Sequence, residues 1–293
     1  MDGADLAATR RRAARAFAPL LMLLSAPVGP AFAASQPAMT GDAVQGHMDV
    51  LEAADDALHG GRLVEAKVLL DGLGANNDGR VLLMRGELLL FTGRSEDAAK
   101  LLDRLPIEER MSCRGTIALA TTQFRLGRIE AGRDYLAGRE GDCRDDSSYW
   151  RLFGRLELEA GRPALAVAAL RRAHSLRPHS SDVANDLAVA LLANDAPAEA
   201  AAIFSTIAPL HPDDAGIALN LDFANGMLGR LPRRTEGDDD MQWSRRLQSA
   251  GAGARRAGHV QLAEALYAQA LLERPRHDER LWRQYDEAAG HHD

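Results

Sequence analysis

Few side chains in this sequence stand at spacings that do chemistry. Gly72-Leu73-Gly74 opens like the glycine turn that cradles a dinucleotide pyrophosphate. That turn needs a strand before it and a helix after it, and here it falls between two helical stretches. Asn76-Asn77-Asp78-Gly79 carries the oxygen donors of a calcium loop, yet Gly74 stands where the first carboxylate belongs and Arg85 where the bidentate glutamate belongs. His291-His292-Asp293 could grip a metal weakly, against which stands the fraying of a chain end. There is no His-Glu-x-x-His, Gly-x-Ser-x-Gly, P-loop or Cys-x-x-Cys pattern. No catalytic residue, metal site or cofactor is expected, and the protein reads as a non-enzyme that works by binding.

A binding surface still needs elements to present it. The 293 residues are 46% hydrophobic but only 5% aromatic, and the apolar residues are mainly Ala and Leu. That mixture favours closely packed helices over a sheet rich in Val, Ile and Tyr, so an all-α fold is expected. Residues 1–33 have the pattern of a secretory signal peptide: Arg10, Arg11, Arg12 and Arg15, an apolar run from Ala16 to Ala26, then Ala31-Phe32-Ala33 as the cleavage site. The uncharged run reaches Ala34, close to the length of a membrane span. An uncleaved anchor is therefore the alternative, although Pro19, Pro27 and Pro30 would interrupt its helix. Cleavage leaves 31 basic and 40 acidic side chains, a net charge of −9, which argues against nucleic acid and gives no reason for adhesion to anionic lipid. The expectation is a periplasmic protein, with a disordered linker at 34–44 and no membrane span after cleavage.

Internal periodicity organises the rest. Gly-Arg pairs recur at Gly61, Gly93, Gly127, Gly161 and Gly229, with Asp195 filling the gap, at intervals of 32, 34, 34, 34 and 34 residues; Gly258 follows five residues early. Seven residues before each turn stands a small residue: Ala54, Gly86, Ala120, Gly154, Ala188, then Gly251. Five after it stands another: Ala66, Ala98, Gly132, Ala166, Ala200, then Ala263. Nine after it comes a large apolar residue: Leu70, Leu102, Leu136, Leu170, Phe204, then Tyr267. Small side chains at two crossing points let paired helices approach to about 8–10 Å, and the large residue lies one helical turn beyond on the same face. A simple Ala-rich bundle is the alternative, but a bundle needs no fixed interval.

The unit from Ser147 to Ser180, with Trp150, Phe153, Gly154, Gly161, Ala166, Leu170, Ala173 and Pro178, resembles the tetratricopeptide repeat family, and the next unit closes at Pro212. The resemblance implies an α-α superhelical solenoid of about seven helix hairpins over residues 45–230 and 241–293, the last closed by a cap helix from Asp278 to Ala289. The sixth hairpin departs from the pattern: Asp222 and Arg234 hold its crossing positions, and Leu231 to Asp240 carries Pro232, Gly237 and a charge run. An exposed acidic and polar loop at 231–240 is expected there, separating the two stretches.

In the family, partners are held by the first helix of each hairpin. Carried over, those positions are Arg114, Thr121, Arg151, Arg155, Asp182, Asn185, Arg245, Gln248 and Arg255. Arg151 and Arg155 are one helical turn apart and can point together, as forks for an acidic or extended peptide whose backbone Asn185 would meet. A merely solvated face is the alternative, since exposed arginines are common. Cys113 and Cys143 fall at facing helix ends of the third hairpin; in an oxidising compartment a disulfide is expected, against two free thiols. Neither lies near the signal end, so no lipid anchor is expected. Residues 182–229, with Asn220-Leu221 and Leu228-Gly229-Arg230, look somewhat like the repeat proteins of Tad/Flp pilus assembly. The expected function is a periplasmic protein-binding adaptor for an envelope assembly or secretion machine. The alternative is a scaffold for exopolysaccharide synthesis or export.

Overall fold

Glycine in the left-handed region ends one helix and lets the next start within two residues, and that device sets the architecture. The computed structural model describes residues 41–274 and 277–290. The expected signal peptide and His291-His292-Asp293 lie outside them. Among the described residues the chain is helices and turns without strands. Five hairpins follow in order: α1 (Gly41–His59) with α2 (Leu63–Gly72), α3 (Gly79–Phe91) with α4 (Ser95–Leu102), α6 (Cys113–Arg125) with α7 (Ile129–Leu136), α8 (Ser147–Glu159) with α9 (Pro163–Leu176), and α10 (Ser181–Ala193) with α11 (Pro197–Ile207). A short α5 (Ile107–Met111) is inserted before α6. Then come α12 (Ala215–Met227) without a second helix, the hairpin α13 (Asp240–Arg256) and α14 (Val260–Leu272), and α15 (Glu279–Ala289) as the cap. Thus α1 begins inside the stretch expected as linker.

The turn glycines hold φ values of 69° to 81°, and Asp195 at φ 55° is the only non-glycine residue at positive φ among the described residues. First helices start at side-chain caps: Asp78, Ser112, Asp146, Ser180 and Asp214 each accept from a backbone N–H of the first turn. Second helices have no such cap, and two of them open instead on Pro163 and Pro197, whose fixed φ suits the first turn.

The crossing positions carry the core. Ala54, Ala66, Ala98, Ala120, Ala166, Ala188, Ala200 and Ala263 are fully buried, as are Leu102, Leu136, Leu170, Phe204 and Tyr267 one turn on. Small and large residues meet as the sequence requires: a methyl on Gly154 would fall 2.5 Å from Leu170 Cγ, and one on Gly251 2.9 Å from the Tyr267 ring. Cys113 opens α6, and Cys143 lies in the turns after α7 with its Cα 5.4 Å away, at disulfide distance. A bridge closing this loop stabilises the fold by about 3–4 kcal/mol in the chain-entropy view.

The sixth hairpin has lost its second helix, and residues 231–237 are an irregular, mostly exposed stretch. This stretch does not part the chain. The first helix of the sixth hairpin lies directly on α13, so closely that a methyl on Gly226 would fall 1.9 Å from the Ala250 carbonyl oxygen and one on Gly253 2.0 Å from that of Phe223. With no second helix between them, two glycines let the first helices meet backbone to backbone. Arg256 then reaches back to Asp195, 2.8 Å away and 61 residues earlier.

Candidate partner-binding groove

The first helices α1, α3, α6 and α8 line one groove of about 660 Å³. Its wall is built from two repeat positions. Six residues before the turns stand Glu87, Thr121 and Arg155, and two residues before them stand His59, Phe91 and Arg125. The two positions are one helical turn apart and therefore share a face. The floor is apolar, formed by Leu90, Ile117, Phe124 and Leu152.

Charges in the groove are largely paired within the chain. Arg114 grips Glu87 with two parallel hydrogen bonds, Nε to Oε1 at 2.7 Å and Nη2 to Oε2 at 2.6 Å, and reaches Asp55 at 2.5 Å. Burial opposes its charge, but Glu87 and Asp55 outweigh it and hold its pKa above the ordinary arginine value. Arg151 donates from Nε to Asp186 at 2.6 Å and from Nη1 to Asp182 at 3.4 Å. Arg155 lies 4.0 Å from Asp186 and stacks over Phe124, 4.7 Å from the ring centre. Arg125 gives one N–H to the Leu90 carbonyl at 2.6 Å.

Of the residues expected at the binding face, Arg114, Thr121, Arg151 and Arg155 are brought together here. Arg151 and Arg155 do converge, but on Asp186 of their own chain, and Asp182 is a second partner of Arg151. Asn185 is outside the groove lining, with its Oδ1 buried and unpartnered. The seventh hairpin contributes nothing to the groove. Gln248 is bonded to Gln284 at 2.6 Å and Arg255 to Glu287 at 2.5 Å, because the cap helix lies across that wall. Arg245 is simply exposed. Sequence reasoning passed over Phe91, Phe124, Arg125 and His59; the signal was the repeat frame itself, since three of them vary at a position two residues before a turn.

A family model of the tetratricopeptide repeat matches residues 157–219, from the end of α8 into α12. Residues 157–219 carry tetratricopeptide repeats. No curated protein sequence matches it. Solved structures similar to this chain include pilF of Pseudomonas aeruginosa, at 16% identity over 73% of this chain and 97% of that one, with a TM-score of 0.48. A tetratricopeptide repeat protein of Parabacteroides merdae is 12% identical over 84% and 99%, TM-score 0.46. A thermophilic TPR protein of Thermus thermophilus is 18% identical over 72% and 98%, TM-score 0.45. Outside the matched residues the same frame of buried crossing positions and left-handed turns runs from Ala54 to Tyr267, so the groove belongs to the repeat stack.

Proposed function

We propose that this protein is a non-enzymatic adaptor, holding a segment of a partner protein in the groove of α1, α3, α6 and α8. Tetratricopeptide-repeat proteins bind protein partners and are in general non-enzymatic; stacked repeats create extended surfaces suited to that use. The observation that carries the proposal is the groove itself, a continuous trough across four helices with an apolar floor and charged rims. An amphipathic trough of this kind suits an extended or helical segment of a partner.

The proposed setting is the periplasm. Its support is the signal pattern of residues 1–33 and a cysteine pair at disulfide distance, which favours an oxidising compartment. An envelope assembly or secretion machine is the proposed context, with a pilus assembly role of the Tad/Flp kind as its most specific form, on the resemblance of residues 182–229.

Affinity purification from envelope extracts tests the adaptor. Thr121 lines the groove and is only half-buried, so Thr121→Trp fills the trough while leaving the core alone. The partner recovered with the native chain is expected to be lost with Thr121→Trp at unchanged thermal stability. Equal recovery by both would remove the groove from the proposal, and a chain that stays in the cytoplasm with residues 1–33 attached would remove the periplasm.

A further inference from the structure

We propose that the groove takes a segment in which an aromatic or long aliphatic side chain stands close to a carboxylate: the apolar side chain on the shelf of Phe91 and Phe124, the carboxylate on Arg125 and Arg155. This rests on the groove being the binding surface, and names the chemistry it selects.

Charge decides the polar half. The chain as a whole carries a net −7, yet the groove lining holds four arginines, Arg114, Arg125, Arg151 and Arg155, against only Glu87 and Asp146. Two of the four are committed, Arg114 to Glu87 and Asp55, Arg151 to Asp186 and Asp182. The guanidinium donors left uncommitted therefore sit on Arg125 and Arg155. A guanidinium has five N–H donors; Arg125 gives one to the Leu90 carbonyl, and Arg155 approaches its nearest carboxylate only at 4.0 Å. Stacked on Phe124, with its Nε turned toward Asp186, Arg155 has its two terminal nitrogens left to receive a carboxylate with two parallel bonds.

Exposure decides the apolar half. Phe91 is 56% exposed, and the partly buried Phe124 and Ile117 line the same trough. A large aromatic surface open to water beside an apolar floor gains most from burial under another apolar side chain. One occupant satisfies both halves only if its two groups are near neighbours.

The test is an NMR titration of the mature chain with acetylated nine-residue peptides, Gly/Ser-framed around a central Phe-Ser-Glu. Expected are amide shifts at Phe91, Ile117 and Phe124, with binding at least tenfold weaker when Gln replaces Glu or Ala replaces Phe in the peptide. Arg155→Gln or Arg125→Gln in the protein is expected to erase the preference for Glu over Gln while keeping that for Phe over Ala. Shifts in the groove without either preference would overturn this proposal and leave the adaptor standing. Shifts confined to other surfaces would overturn both, and no shifts at millimolar peptide would overturn the stated chemistry.

Discussion

At the scale of residues, the most informative side chains are those that break the repeat frame. In the other hairpins a small residue meets a large apolar one across the crossing point. In the sixth, those two positions are Asp222 and Asp238, and Arg246 lies between them, 2.7 Å from Asp222 and 2.6 Å from Asp238. Asp222 is 2% exposed, so an ion cluster stands where a helix is missing. A buried charge left without its partner costs about 3–5 kcal/mol, so Arg246→Met is expected to lower unfolding stability by that amount, read from the urea midpoint. Asp222→Asn is expected to cost under about 1 kcal/mol, because Arg246 keeps Asp238. The two carboxylates respond to pH in opposite senses. Burial pushes the Asp222 pKa up, so its contribution to stability grows on acidification. Burial also pushes Asp238 up, but the Thr235 backbone amide and Arg246 outweigh it and leave its pKa lowered; its contribution is present above the unfolded carboxylate pKa and is lost as pH falls through the folded one. Asp238→Asn should therefore flatten the loss of stability below about pH 4, and Asp222→Asn should remove a gain on acidification that falls above it, between the raised folded pKa and the unfolded one. A denaturation series across both ranges checks the two. That Asp222 breaks the frame was legible in the sequence; that Arg246 answers it was not, since the pairing needs α13 to lie where no periodicity places it.

At the scale of elements, helix approach is set by what each glycine faces. Gly226→Ala and Gly253→Ala would drive a methyl into opposing backbone, which has no side-chain end to move aside. Each is expected to destabilise by about 3 kcal/mol or more, the upper end for overpacking. Gly72→Ala, with open space around it and ordinary helical backbone, is expected to be neutral or to gain up to about 1 kcal/mol. Melting temperatures of the three variants separate the cases. Most elements were readable beforehand because each hairpin repeats the same small, small, large spacing. A further series was equally regular and went unread: the caps Asp78, Ser112, Asp146, Ser180 and Asp214, each 34 residues after the last. The inserted α5 had no such signal, since five residues are too short to show a helical period. Asp195 was legible as the missing turn glycine, and its φ of 55° confirms the turn.

At the scale of the whole molecule, the stack gives the first helices a shared wall, and the groove is that wall where α1, α3, α6 and α8 meet. Four of the nine expected contact residues lie in it. The other five lie outside its lining: Asp182 pairs with Arg151, Asn185 and Arg245 stand apart from it, and Gln248 and Arg255 are bonded to the cap helix that covers the wall of the seventh hairpin. What the frame did contain, without its being used, was the variability at the positions two and six residues before each turn, where a family of identical scaffolds must write its specificity. A photo-crosslinking amino acid placed in cells at Thr121, inside the groove, and at Ala168, exposed on the second helix α9, tests that most directly. A discrete adduct with one partner is expected from Thr121 and none from Ala168. An adduct from Ala168 with none from Thr121 would put the partner on the outer helices and contradict the groove as the working surface.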